Sequence, residues 1–373
     1  MLQFAIPCLL GLESLVGDEV KKLGLADIRV ENGRVLCRGE ERDLARLNIN
    51  LRCGARVLLV LASFRATDFE ALFQGTRAVR WEDWVPREGE FPVTGYSINS
   101  TLHSVPACQS IVKKAVVERL GEAYGLQTLP ETGKRYQIRF SIMKDEVMLC
   151  LDASGEGLYK RGYRAVGVAA PLKETLAAAM VKLSHYNGRD PFCDPFCGSG
   201  TIAIEAALIA RNRAPGLNRS FAAQHWAMVD KRIWLDAADE AMDNEFHDKT
   251  YEIWGGDIDP HAVEIARHNA ELAEVDDTVR FEVDDATRFH WGGQYGRVVT
   301  NPPYGERLLE QKEAEELYRA FGRAIDKLPE TWRVYVLSSH TEFERCFGRI
   351  ADKKRKLYNG MLKCDLFMYG KRV

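Results

Sequence analysis

The chain has 373 residues, 46% of them hydrophobic and 28% charged, with a net charge of −3. That length suggests about two or three domains with room for a sizeable core, and the composition excludes a disordered or low-complexity chain. The near-zero charge excludes a global basic field, so a nucleic-acid partner has to be read from local clusters.

The opening stretch MLQFAIPCLLGLESLVGDEV is apolar, but no Lys or Arg precedes it and Glu13 interrupts it. It predicts a strand running into a helix, not a signal peptide or membrane span. VENGRVLCRG is strand-like, DLARLNINL helical and RVLLVLASF strand-like again, which makes one short α+β set. FPVTGYS, IVKKAVVERLGEAY, YQIRFSIM and EVMLCLDA make a second, with the boundary between the sets near residues 50 to 65. Sets this small suggest modules that position a partner. The nine cysteines include no CxxC pair, and Cys193 and Cys197 lack His partners at metal spacing. Reduced thiols in a cytoplasmic protein are expected, with no metal site and no disulfides.

From residue 171 the pattern alternates. PLKETLAAAMVKLSHY predicts a helix with Pro171 in its first turn, PFCDPF is a short run, and GTIAIEAALIARNR predicts a second helix. YEIWGGDID reads as a strand, after which Asp259 and Pro260 cap and open the helix HAVEIARHNAELA. VRFEVDDA, RVVTNPP and WRVYVLSS are further strands, with the helix EAEELYRAFGRAIDKL before the last. A repeating βα order means a mostly parallel sheet covered on both faces. The end, KRKLYNGMLKCDLFMYG, breaks that rhythm with a hairpin around Asn359 and Gly360.

DPFCGSGT, Asp194 to Thr201, joins a strand to a helix; its glycines let the backbone approach a ligand, and the helix start offers free N–H groups. Gly198, Gly200 and Ala203 satisfy a dinucleotide pattern, a weak signal by itself. A dinucleotide site expects an acid about 20 residues on. Here the second strand delivers Asp257, 57 positions beyond Gly200. Asp194 would repel a pyrophosphate but attract the α-ammonium of a methionine moiety, which favours S-adenosylmethionine (SAM). Asp257 can then accept from ribose hydroxyls and Asp285 from an adenine amino group, although Asp285 and Asp259 also read as solvated or capping acids.

The next strand ends in Asn301, Pro302, Pro303 and Tyr304. An exocyclic amine is a poor nucleophile because its lone pair is delocalised. If Asn301 Oδ1 and the Pro302 carbonyl each accept one N–H, the lone pair is aimed at a methyl donor. The prolines fix the turn, and Tyr304 offers a face for stacking a planar base. No cysteine stands at 300 to 307 for pyrimidine C5 chemistry.

DPFCGSGT, GGDIDP, VDDA and NPPYGER resemble motifs of class I SAM-dependent methyltransferases of the amino-methylating branch. KRGYRAVGVAAPLKETLAAAM and NRAPGLNRSFAAQHW resemble the bacterial THUMP-domain RNA methyltransferase family, whose members methylate guanine N2 in large-subunit rRNA and are often labelled N6-adenine-specific DNA methylases. The resemblance covers essentially the whole chain. It implies a ferredoxin-like element over 1–55, a THUMP RNA-binding domain over 56–160 and a Rossmann-like methyltransferase domain over 161–373. It also implies that Asp194, Pro195, Phe196, Cys197, Gly198, Ser199, Gly200 and Thr201 line the methionine part of SAM. By the same resemblance Asp257 holds the ribose, Asp285 the adenine and Asn301 to Tyr304 the target amine, with Ile258, Asp259 and Ala286 as further cofactor-binding residues. The helix before the first strand of that domain adds Lys173, Glu174 and Thr175. Some relatives carry a second methyltransferase domain behind the first, so a single activity is expected here.

Lys160, Arg161 and Arg164, interleaved with Tyr159 and Tyr163, suit RNA, as do Lys113 and Lys114; a solvated linker would look similar. Trp226 and Trp234 read as packing residues, and the run Lys353 to Lys356 as a solvated strand or loop. NPPY alone does not separate guanine N2 from adenine N6 or a protein glutamine, nor rRNA from tRNA. A non-catalytic RNA-binding assembly factor stays open as a further alternative.

Overall fold

A computed structural model describes residues 1–164, 172–305 and 308–370. Pro171, and Glu306 and Arg307 of NPPYGER, lie outside the described residues. The first half runs β1 (Leu2–Pro7), α1 (Glu13–Lys22), β2 (Ala26–Glu31), β3 (Arg34–Gly39), α2 (Glu41–Asn50), β4 (Leu58–Arg65), α3 (Phe69–Arg77), β5 (Val93–Ile98), α4 (Val105–Tyr124), β6 (Ile138–Met143) and β7 (Glu146–Asp152). There follow α5 (Glu174–Leu183), β8 (Phe192–Asp194), α6 (Thr201–Ala210), α7 (Arg232–Asp243), β9 (Ile253–Asp257), α8 (Pro260–Leu272), β10 (Val279–Val283) and β11 (Arg297–Thr300). The chain ends with α9 (Leu308–Ile325), β12 (Arg333–Ser338), α10 (Phe343–Phe347), β13 (Lys353–Asn359) and β14 (Leu362–Tyr369). Among the described residues no helix is long and apolar enough to cross a membrane.

Two compact units form. The first comprises Met1–Cys8, Gly17–Leu158 and Ser220–Glu240; the second comprises Leu9–Val16, Tyr159–Arg219 and Ala241–Val373.

In the first unit the two α+β sets share one seven-stranded sheet, ordered β2-β3-β1-β4-β7-β6-β5. Strand β4 joins them because both its edges are used. It pairs with β1 at Gln3, Phe4 and Ala5, and with β7 along its whole length. Ala5, Leu36, Leu58, Met148 and Cys150 then bury one apolar cluster drawn from both sets. Helix α3 escaped the sequence reading because Gly75 interrupts a short run. The glycine is required there, since a Cβ would lie 2.3 Å from Phe64, while Asp68 caps the helix by accepting the Ala71 N–H at 2.8 Å. Trp226 packs as expected, its ring stacked 5.9 Å from Tyr136.

In the second unit the sheet order is β10-β9-β8-β11-β12-β14-β13. Strands β8 to β12 run parallel, and β14 is antiparallel to both β12 and β13. This is the expected mostly parallel sheet closed by an antiparallel hairpin, with Gly360 at φ +64 in the turn. Strand β11, RVVT, is buried throughout, which is why it reads as a continuous apolar run. Helix α6, TIAIEAALIA, is apolar almost all round and correspondingly buried. The strand order reverses at β8, flanked by β9 and β11, and open sheets of this kind take ligands outside the carboxyl ends at such a switch point. Asp194, Asp257 and Thr300 are the last residues of β8, β9 and β11.

Candidate active site

The loop after β8 is shaped by backbone bonds. Cys197 N–H donates to Gly256 O at 2.9 Å, and Gly200 N–H to Cys197 O at 2.8 Å. The two glycines serve different ends. Gly200, at φ +83, packs so closely that a Cβ would lie 2.8 Å from Phe281. Gly198, at φ +50, would present a Cβ to nothing within 4 Å, so this part of the loop offers bare backbone to open space. Asn269 of α8, buried, donates from Nδ2 to Ser199 O at 2.9 Å and fixes the loop from behind. Nothing in HAVEIARHNAELA singled it out.

Asp194 is 1% exposed. Its Oδ1 accepts the Thr300 hydroxyl at 2.6 Å and, at 3.4 Å, the Phe196 N–H. Its Oδ2 is buried with no partner. Burial pushes this carboxyl up to about 7; the Thr300 and Phe196 donors pull it back, and the Asp257 charge adds to the rise. A buried carboxylate with one oxygen unused is a half-built cation site, and the donor missing from it is what an α-ammonium would supply.

Asp257 is occupied by the loop it faces. Its Oδ2 accepts Gly198 N–H at 2.9 Å and its Oδ1 accepts Asp259 N–H at 3.0 Å, leaving further lone pairs on both oxygens. Ile258 is 71% exposed beside it. Asp259 caps α8, accepting His261 N–H at 2.9 Å. Asp285 caps the Ala286–Arg288 turn through the Thr287 N–H and hydroxyl, at 2.9 and 2.7 Å. The Thr287 hydroxyl and N–H hold this carboxyl below its ordinary value. Ala286 is buried, Lys173 stands at the N-cap of α5, and Glu174 and Thr175 are buried in its first turn.

At the end of β11, Asn301 Oδ1 accepts the Tyr304 hydroxyl. Pro303 O accepts, at 2.6 Å, the hydroxyl of Tyr318, a fully buried residue of α9. Cys364 of β14 donates to the Tyr304 oxygen at 3.8 Å, and burial pushes the Tyr304 hydroxyl well above its ordinary value. Tyr304 is therefore tethered at its hydroxyl end, which the sequence reading as a stacking face did not anticipate. Asn301 Oδ1 keeps a second lone pair for another donor.

The basic cluster differs from expectation. Arg161 is 3% exposed, with Nε 3.3 Å from Glu205 Oε1, and the Tyr163 hydroxyl donates to the same oxygen at 3.2 Å. Arg164 Nη2 donates to Thr201 Oγ1 at 2.8 Å and Leu172 O at 3.1 Å, and lies 3.2 Å from Glu174 Oε1. These cations face inward because α5 and α6 carry acids in their buried faces, and a buried acid needs a counter-charge. Arg161 is thereby removed from any RNA surface, and Arg164 is committed to the two helices. The signal was present in the sequence as Glu205 inside an otherwise apolar helix. Lys113 is also engaged, 2.7 Å from the Glu131 carboxylate. Lys160 and Lys114 are exposed.

Residues 161–367 match the family described as RMKL-like, methyltransferase domain; residues 3–58 match the RlmL ferredoxin-like domain and 66–152 the THUMP domain. The chain is 45% identical over 366 residues to YpsC of Bacillus subtilis (strain 168), a candidate RNA methyltransferase, covering 98% of this chain and 94% of that one. A crystal structure of a predicted N6-adenine-specific DNA methylase from Listeria monocytogenes str. 4b F2365 superposes with a TM-score of 0.94 at 47% identity, over 99% of this chain and 96% of that one. The structure of SMU.472, a candidate methyltransferase complexed with SAH, does so with a TM-score of 0.91 at 42% identity, over 100% and 99%. With the cofactor of this group being SAM, the chain belongs to the RMKL-like family of THUMP-domain, SAM-dependent RNA methyltransferases.

Proposed function

We propose that this enzyme methylates an exocyclic amine in RNA, with guanine N2 of 23S rRNA as its target. The observation that carries the reading is the link across the sheet edge: the buried Asp194, with one oxygen unused, is hydrogen-bonded to Thr300, the residue before Asn301. A cation-binding carboxylate and a pair of amine acceptors are thus one side chain apart.

SAM supplies a methyl group on a sulfonium. In this reading Asp194 Oδ2 holds the α-ammonium, and residues 195–201 with Lys173, Glu174 and Thr175 enclose the methionine part. Asp257 and Ile258 take the ribose. The adenine falls to Asp285, through the oxygen its cap leaves over, and Ala286, whereas Asp259 acts through its cap. Asn301 Oδ1 and the Pro302 carbonyl accept the two N–H groups of the target amine, which keeps its lone pair out of conjugation. Pro303 and Tyr304 fix that geometry. Residues 1–55 and 56–160 are assigned as the ferredoxin-like and THUMP elements that present RNA to the 161–373 domain, with Lys160 and Lys114 as the exposed contacts. Support for RNA comes from the THUMP match and from the naming of YpsC.

A second reading, adenine N6 in DNA, draws on the name given to the Listeria protein. Labelled SAM with unmodified rRNA, tRNA and duplex DNA in parallel separates the two. Label is expected in rRNA; label in duplex DNA alone would establish the second reading instead.

Tyr318→Phe tests the support beneath the tip. It removes one neutral hydrogen bond to the Pro303 carbonyl, worth about 1 kcal/mol. The expected result is a fall of about fivefold in kcat with SAM affinity unchanged, checked by single-turnover transfer and calorimetry.

A further inference from the structure

Thr300 belongs to neither group of residues that the motifs mark out. It is 0% exposed, ends the buried strand β11, and its hydroxyl donates to Asp194 Oδ1 at 2.6 Å. The next residue in the chain is Asn301. We infer that Thr300 is a positioning residue that couples the charge state of the cofactor carboxylate to the placement of the catalytic tip. This rests on the reading of Asp194 and Asn301 given above.

A hydroxyl donates more strongly to an ionised carboxylate than to a neutral one. With a protonated Asp194, the Thr300 bond is an ordinary neutral one; with a cation at Oδ2, the carboxyl ionises, its proton leaves to solvent, and the bond at Oδ1 shortens and strengthens. A filled cofactor site and the Thr300 bond thereby favour the same ionised carboxylate, so a bound cation strengthens the hold of the loop on the strand end that carries Asn301. In the other direction, the Thr300 hydroxyl favours the ionised carboxylate and so favours ammonium binding. The titratable groups facing Asp194 are Asp257 from β9 and the thiols of Cys193 and Cys197, all of which oppose its ionisation when charged. Thr300 and the Phe196 N–H are the donors that oppose them.

The experiment is SAM affinity by calorimetry from pH 5.5 to 9 for the full-length wild type, Thr300→Val and Thr300→Ser, with thermal unfolding confirming that each is folded. Valine is isosteric and suits a buried strand; serine restores the donor. Affinity in the wild type rises with pH on the acid side as Asp194 ionises. It falls on the alkaline side near pH 8, where the ligand's own α-amino group deprotonates. Thr300→Val is expected to move only the acid limb, upward by about half a unit or more, and to lower kcat at saturating SAM about tenfold. Thr300→Ser is expected to return both to wild-type values. An acid limb that stays in place in a folded Thr300→Val, with SAM still bound by the wild type, overturns the coupling and leaves the site reading intact. Failure of the wild type to bind SAM overturns both.

Discussion

Asn301→Ala is expected to lower the rate of methyl transfer by about 10²- to 10³-fold while leaving SAM affinity within about twofold of wild type. That magnitude is the usual consequence of deleting one preorganised polar contact to a reacting group. Among the described residues the asparagine side chain makes no hydrogen bond to Asp194, Asp257 or the glycine loop, so the cofactor site keeps its donors and acceptors. Its Oδ1 holds the Tyr304 hydroxyl and retains a lone pair for the substrate amine. Deletion removes an acceptor from the amine and also frees Tyr304 at one end. Single-turnover transfer and calorimetry on the same preparation separate the two quantities. Equal losses in both would move Asn301 from the chemistry to the cofactor site. Unchanged transfer would remove Asn301 from the chemistry, and cellular function left intact by a variant that has lost transfer would favour the non-catalytic alternative.

Asp194→Asn is expected to act in the opposite sense on binding and on folding. The amide keeps an acceptor for Thr300 but loses the charge that would pair with an ammonium. A charge-assisted hydrogen bond at a buried site contributes about 1.5–3 kcal/mol, so SAM affinity near pH 7.5 should fall about 30-fold. The acid limb of its pH dependence should also disappear. Stability runs the other way. The folded carboxyl is pushed up to about 7 from an ordinary value of 3.8. Its contribution to stability is fully present below the unfolded value and is lost as pH rises to about 7. At pH 8 the free wild type therefore bears the full cost of a buried, half-paired charge, and the Asn variant does not. Thermal unfolding at pH 8 should give the variant a midpoint at or above that of the wild type, a trade of stability against binding familiar from functional sites. A lower midpoint together with unchanged SAM affinity would assign Asp194 to the fold alone.

The parts of this molecule that short-range patterns encode were legible in the sequence. Short apolar and β-branched runs alternating with period-3.6 stretches placed nearly every strand and helix of the second unit, and Asn359-Gly360 marked its closing hairpin. The loop glycines announced a close backbone approach. What was not legible depends on partners far along the chain. KRGYR reads identically as a solvated RNA contact or a buried cation pair, and the choice is made by Glu205, 44 positions beyond Arg161. Tyr304 is tied at its hydroxyl through Cys364, 60 positions on. Thr300 looked like the last residue of a strand, and only the register of β11 beside β8 brings it to Asp194. Strand β4 was read as the end of the first set, whereas its two edges unite both sets in one sheet. Each of these cases turns on the other side of a long-range pairing, which local propensity does not encode.

The most direct measurement is nucleoside mass spectrometry on 23S rRNA incubated with the purified enzyme and SAM, using rRNA from a strain lacking it. The account predicts N2-methylguanosine formed in near-stoichiometric amount by the wild type and about 10²- to 10³-fold more slowly by Asn301→Ala. N6-methyladenosine as the product, or no methylated nucleoside in rRNA with label appearing in another polymer, would contradict it.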